Sequence, residues 1–293
     1  MGRFGWLRER VAGVLDWPLV VAVRRVLDRY DAAGGGLLAG GLAYAALFAI
    51  IPAVLLVAGV VGLFIADPGA REALIETVVS VLPPMRELIE VVLTEAARDA
   101  APVSILGAVI LIWGTSRFVV AFQGAIARVM GGDRRRGLLA SNLVGLGSVV
   151  LMIGAILLSS VLSGIVAFLE AGRALGVIPF FGDALALALG LLPVIATMAA
   201  VILVYRVVPV PSPRWRAAIV PGVTVGLALT ILARLFAFLA PRLIGAAALL
   251  GTLATVFAAL AWLALSFQAL LLGAAWVRDR AERYTPPGAT PID

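Results

Sequence analysis

Six uninterrupted apolar blocks, each long enough to cross a hydrocarbon layer, constrain this chain more than any other feature. They run Leu37–Ile65, Val103–Val129, Leu138–Leu169, Ala184–Tyr205, Ala217–Ala240 and Thr252–Val277. A bilayer core about 30 Å thick takes roughly 20 helical residues. In lipid every backbone amide must find its partner inside the structure, which leaves α-helices or a closed barrel, and continuous apolar runs exclude the alternation of a barrel. Composition agrees: 62% of the residues are hydrophobic and only 14% charged, too little polar surface to cover a water-facing globule. The expected fold is therefore all-α and polytopic. Residues 1–36 form a cytoplasmic amphipathic segment, 37–277 a six-helix transmembrane domain with an outer helical hairpin at 66–102, and 278–293 a cytoplasmic tail.

Arginine supplies every positive charge, 23 residues against 17 acids, and its distribution sets the orientation. The N-terminal segment, the Arg128–Arg136 turn, the Arg206–Arg216 connector and the C-terminal tail fall on one side and hold 16 arginines; the other side holds five. Positive loops stay cytoplasmic, so both termini are expected inside. The first long apolar run exceeds a signal-peptide core and is expected to remain as the first span. The Ala/Gly/Leu/Val-rich, all-Arg composition suits a bacterial chain, and the expected location is the bacterial plasma membrane.

The segments between spans are patterned. Phe4, Leu7, Val11 and Val14 recur at helical spacing opposite Arg3, Arg8 and Arg10, and Pro18 opens a second piece carrying Arg24, Arg25 and Arg29. Such helices suit either the membrane interface or packing on the inner face of a bundle. On the outer side, Met85, Leu88, Ile89, Val92, Leu93 and Ala96 form one apolar stripe, and Pro83–Pro84 separates it from Ala70–Leu82, which reads as a hairpin cap. Three prolines within Arg206–Arg216 make a stiff connector, in which Trp215 suits an interface anchor. Gly36-x-x-x-Gly40 and Gly222-x-x-x-Gly226 permit close helix crossing, but a chain with 31 glycines produces such a match by chance. Pro52 and Pro193 can kink their spans.

Ionisable residues inside a span are candidates for function. There are two, Arg117 and Arg234, and no acid lies well inside any span. At about 1.5 Å per residue, Arg117 sits in the inner third of the second span and Arg234 in the outer third of the fifth. Each can snorkel, or both can face a cavity and hold the phosphate or carboxylate of an amphiphile through their guanidinium forks. Tyr44, Trp113, Ser116, Gln123, Asn142 and Gln268 are the polar neighbours that join them as candidate anion-binding residues. Elsewhere, Ser and Thr in apolar helices mostly bond their own i−4 carbonyl or a neighbouring helix.

The chain contains no Cys and no His. Thiol catalysis, haem ligation, the usual zinc sites and His-based proton transfer are excluded. There is no Walker lysine in a glycine-rich loop and no carboxylate cluster suited to metal-assisted hydrolysis. Neither a cofactor, a metal nor enzymatic activity is expected.

The run Leu42-Ala43-Tyr44-Ala45-Ala46-Leu47-Phe48 up to Pro52, then Trp113-Gly114-Thr115-Ser116-Arg117-Phe118 with Ala121-Phe122-Gln123-Gly124-Ala125-Ile126, then Tyr205-Arg206, Pro209, Trp215 and Pro221-Gly222, and last Leu250-Gly251-Thr252, Trp262 and Gly273-Ala274 resemble, in order and spacing, the YihY/virulence factor BrkB family. The resemblance spans Tyr30 to Trp276 and implies a six-span inner-membrane protein with cytoplasmic termini. Many members carry an acid after the Gly-Ala of the last span where this chain has Ala275, so no role for that acid carries over. The ribonuclease BN label once given to members fits a His-free chain badly, and topology accounts for the cytoplasmic arginines without nucleic acid. The expected function is a translocator or export facilitator for an anionic amphiphile such as a lipid. The alternative is a non-transporting scaffold for envelope assembly. The expected partners are membrane lipids and envelope proteins.

Overall fold

A computed structural model describes residues 18–64, 114, 117–132, 182–209, 212–246 and 252–284. Among them every regular element is an α-helix: α1 (Pro18–Ala32), α2 (Gly35–Phe64), α3 (117–130), α4 (Gly182–Val207), α5 (Trp215–Ala246) and α6 (Thr252–Tyr284). The outer hairpin 66–102, the third span and about half of the second lie outside the described residues, as do Trp113, Ser116 and Asn142.

Trp215–Leu239 of α5 and Leu253–Arg283 of α6 are long and apolar enough to cross a membrane. The pair α1–α2 is a third only if its halves, bent by 62°, are taken as one span. Among the described residues the structure thus supports two or three spans. Helix α2 runs unbroken through Pro52 and α4 through Pro193.

The corner between α1 and α2 is made by Gly34, in the left-handed region at φ 71°. Its N–H donates to the Asp31 carbonyl and its carbonyl accepts from Leu38, so one residue closes α1 and opens α2. Tyr30 packs against Gly35, where a Cβ would fall on the phenol ring. Burial, with the Asp31 carboxylate beside it, pushes that phenol above its ordinary pKa.

Helix α6 is the hub, packed against α1, α2, α4 and α5. It meets α3 through Phe267, whose ring lies 5.8 Å from Phe118 and 6.2 Å from Phe122, while Gly114 packs on α2 at Phe48 and Ala49. Tyr205 near the end of α4 is fully buried and donates its hydroxyl to the Leu270 carbonyl of α6 at 2.8 Å. In α5 and α6, Thr224, Thr230 and Ser266 bond their own i−4 carbonyls.

Helices α4 and α5 cross closely at Gly222 and Gly226. A Cβ at Gly226 would sit 2.7 Å from the Met198 Cα, and one at Gly222 would sit 3.1 Å from the Ile202 Cα. The other small-residue match plays no such part, since a Cβ on Gly40 meets open space. Because the obstacle at Gly226 is backbone, Gly226→Ala should cost about 1–2 kcal/mol of stability, read as a lower unfolding midpoint in detergent. Gly40→Ala should be neutral or slightly stabilising.

Candidate functional site

The described contacts gather the arginine-rich helix ends at one end of the bundle. Helix α3 ends in a Schellman turn: Gly131, at φ 71°, donates to the Arg128 carbonyl and Gly132 donates to the Ala127 carbonyl. Arg278 of α6 lies over that turn, so closely that a Cβ on Gly131 would fall on its guanidinium, and it donates to the Val129 carbonyl at 3.4 Å. A cation there complements the negative end of the α3 dipole.

On its other side α6 holds α1. The sequence read as a tail begins as the last two turns of this helix, and its acids face the arginines of α1. Asp279, 3% exposed, accepts from Arg25 at 3.3 Å, lies 3.7 Å from Arg29 Nη2, and pairs through its second oxygen with Arg283. Glu282 takes Arg29 on one oxygen and Arg278, at 3.0 Å, on the other. Four guanidinium groups thus share two carboxylates. Ala22, Val26 and Tyr30 line the face of α1 turned to the bundle, whereas Val23 and Leu27 stay exposed. Beside this knot is a crevice of about 230 Å³ lined by Ala22, Trp276, Asp279, Arg280 and Arg283.

The sequence-derived candidates are spread over the helices. Tyr44 on α2, Arg117 and Gln123 on α3 and Gln268 on α6 belong to three helices that pack together; Arg234 lies on α5. Arg117, Arg234 and Tyr44 are exposed, Gln123 and Gln268 half-buried. The Tyr44 ring packs against Phe48, tilted by 47° with centroids 4.7 Å apart. Arg234 shares an exposed stripe of α5 with Leu227, Ile231 and Phe238. One turn further, Arg242 lies 3.6 Å over the Phe238 ring and donates to its carbonyl. At the opposite end of α5, Trp215 meets Arg206, 5.6 Å from ring centroid to guanidinium carbon. Among the described residues no three His, Cys, Asp or Glu side chains converge as metal ligands would.

The knot built on Asp279 and Glu282 is the feature sequence reasoning passed over. Its signal is the alternation Arg278-Asp279-Arg280-Ala281-Glu282-Arg283, where acids recur three apart among the arginines that follow the last apolar run.

Among known proteins, two membrane proteins described only as UPF0761 are similar to this chain. The relative from Chromohalobacter salexigens is 29% identical over 92% of this chain and 68% of its own length. The relative from Nitrosospira multiformis is 28% identical over 81% of this chain and 55% of its own length, so this chain spans little more than half of it. No solved structure matches. The model of the virulence factor BrkB family matches residues 26–291, from within the knotted helix α1 to beyond α6. A membrane protein with apolar helices, this chain belongs to the virulence factor BrkB family.

Proposed function

We propose that this chain is a six-span protein of a bacterial plasma membrane, with both termini in the cytoplasm, that facilitates translocation or export of an anionic amphiphile such as a lipid. In this reading it is not itself an enzyme. The observation that carries this reading is Arg234. Helix α5 contains no acid, yet it presents an exposed guanidinium on a stripe otherwise made of Leu227, Ile231 and Phe238. A cation on such a face gains by meeting a phosphate or carboxylate there, while the flanking side chains suit an acyl chain. Arg242, about two turns nearer the helix end, supplies a second cationic station further along the helix. The collection of the other arginine-bearing helix ends at the opposite end supports the cytoplasmic placement of the termini.

The test is flux of fluorescent phosphatidylglycerol against phosphatidylcholine in proteoliposomes. Arg234→Ala should slow the anionic lipid about tenfold, the worth of one charge-assisted contact, with Arg117→Ala acting in the same direction. Unchanged flux in both variants ends the translocator reading. A scaffold for envelope proteins is the second reading, favoured by the exposed Val23 and Leu27 on α1. It requires no flux in the wild type and loss of partner cross-links when these two residues become serine.

A further inference from the structure

We propose that the crevice between α1 and the last turns of α6 binds the phosphate of an acidic phospholipid head group. The site is separate from the Arg234 stripe and requires no transport. Three observations carry it.

The first is charge. Both oxygens of Asp279 are committed, one to Arg25 and Arg29, the other to Arg283, so the carboxylate that lines the crevice is already neutralised. Glu282 is occupied by Arg29 and Arg278. Among the described residues four guanidinium groups thus share two carboxylates, leaving a positive excess that an anion would balance, and Arg280 stands on the crevice wall beside them. Arg29 moreover keeps its Nη1 out of solvent with no hydrogen-bond partner among the described residues, a cost that signals a surplus of donors over acceptors.

The second is shape. A volume of about 230 Å³ is several times the roughly 30 Å³ share of one water, enough for a phosphate group with part of its glycerol. Ala22 keeps it open, since its methyl group is the small side of the wall.

The third places the ligand in the membrane rather than in solution. Trp276, Arg280 and Arg283 lie at i, i+4 and i+7 on α6 and form one stripe. The indole lies one turn nearer the apolar body of the helix than the first guanidinium. An amphipathic ring at the depth of the glycerol, followed by arginines at the depth of the phosphates, matches the layering of an inner-leaflet lipid. A free phosphate has no use for the tryptophan.

The test uses the full chain in detergent, titrated with phosphatidylglycerol or phosphatidylcholine and read by native mass spectrometry. The wild type should hold phosphatidylglycerol about tenfold more tightly. Arg280→Gln should remove that preference. So should Ala22→Leu, which fills the crevice and leaves every charge in place, so that one informative variant remains if the other does not fold. Equal retention of the two lipids by the wild type overturns the proposal, as does an Ala22→Leu protein that keeps the preference. Displacement of phosphatidylglycerol by equimolar inorganic phosphate overturns the assignment to a lipid. Repeating the comparison in an Arg234→Ala background, which takes the proposed translocation path out of the count, should give the same dependence on Arg280 and Ala22 and so separates the two sites.

Discussion

Asp279→Asn should release helix α1 from the end of α6. The substitution keeps the size and shape of the side chain and removes only its charge, so packing changes little and electrostatics carry the effect. Asp279 is 3% exposed, with Arg25, Arg29 and Arg283 around it. Removing one partner of a buried ion pair costs about 3–5 kcal/mol, because the remaining charges stay where only that partner made them tolerable. Here the arginines are partly wet, Arg25 at 45% and Arg283 at 52% exposure, and water screens that share of the interaction. A loss of about 2–3 kcal/mol remains, weighted to the α1 contact. Hydrogen exchange of the α1 amides should then quicken about 30- to 150-fold while α5 exchanges as before.

Two controls distinguish the knot from general damage. Arg283→Gln removes an arginine that is half exposed and should cost less than about 1 kcal/mol. Combining Arg29→Gln with Asp279→Asn should cost clearly less than the sum of the single changes, since each breaks a contact the other has already lost. Raising the salt concentration to about 1 M should weaken α1 docking in the wild type and hardly affect the Asp279→Asn protein. Unaltered α1 exchange in Asp279→Asn would show that Ala22, Val26 and Tyr30 hold the helix without the charges.

What could be read from the sequence follows the strength of each physical constraint. Apolar runs such as Ala217–Ala240 and Thr252–Val277 declare themselves because lipid leaves the backbone no alternative to a helix, and both are helices here. Side-chain pairing is another matter. The positive-inside count weighs cations and ignores acids, so it registered Arg278, Arg280 and Arg283 but not that Asp279 and Glu282 between them face α1, some 250 residues away in sequence. Small-residue spacing is equally mute about neighbours. Gly222–Gly226 and Gly36–Gly40 are indistinguishable as text, yet only the first pair meets another helix backbone. Arg117 and Arg234 were visible as charges in apolar surroundings. What each guanidinium faces depends on how helices assemble, which a one-dimensional pattern does not encode.

Gly273→Leu should be the most damaging single substitution at the centre of the bundle. Gly273 lies where Tyr205 from α4 and Val225 from α5 converge on α6: a Cβ there would run into the Tyr205 hydroxyl and lie 2.6 Å from Val225 Cγ2. Even alanine must therefore displace the phenol, and leucine must separate three helices. Overpacking of this kind costs about 1–3 kcal/mol. The displaced hydroxyl also loses the Leu270 carbonyl, its acceptor at 2.8 Å, and a buried donor left without an acceptor adds about 1–3 kcal/mol. The total, about 2–6 kcal/mol, should lower the unfolding midpoint by several degrees and reduce the monodisperse fraction in detergent. Tyr205→Phe alone should cost only about 1 kcal/mol, the net worth of one hydrogen bond. The decisive comparison is Gly273→Ala with and without Tyr205→Phe. Removing the hydroxyl takes away the closest obstacle to the new methyl group, so the double variant should be less destabilised than the two single changes added together. The rescue is only partial, because the ring carbon that bore the hydroxyl would still be 2.9 Å from the added Cβ. Strict additivity, or a Gly273→Ala protein as stable as the wild type, would mean that Tyr205 does not cross α6 at Gly273 and that α4, α5 and α6 meet along other faces.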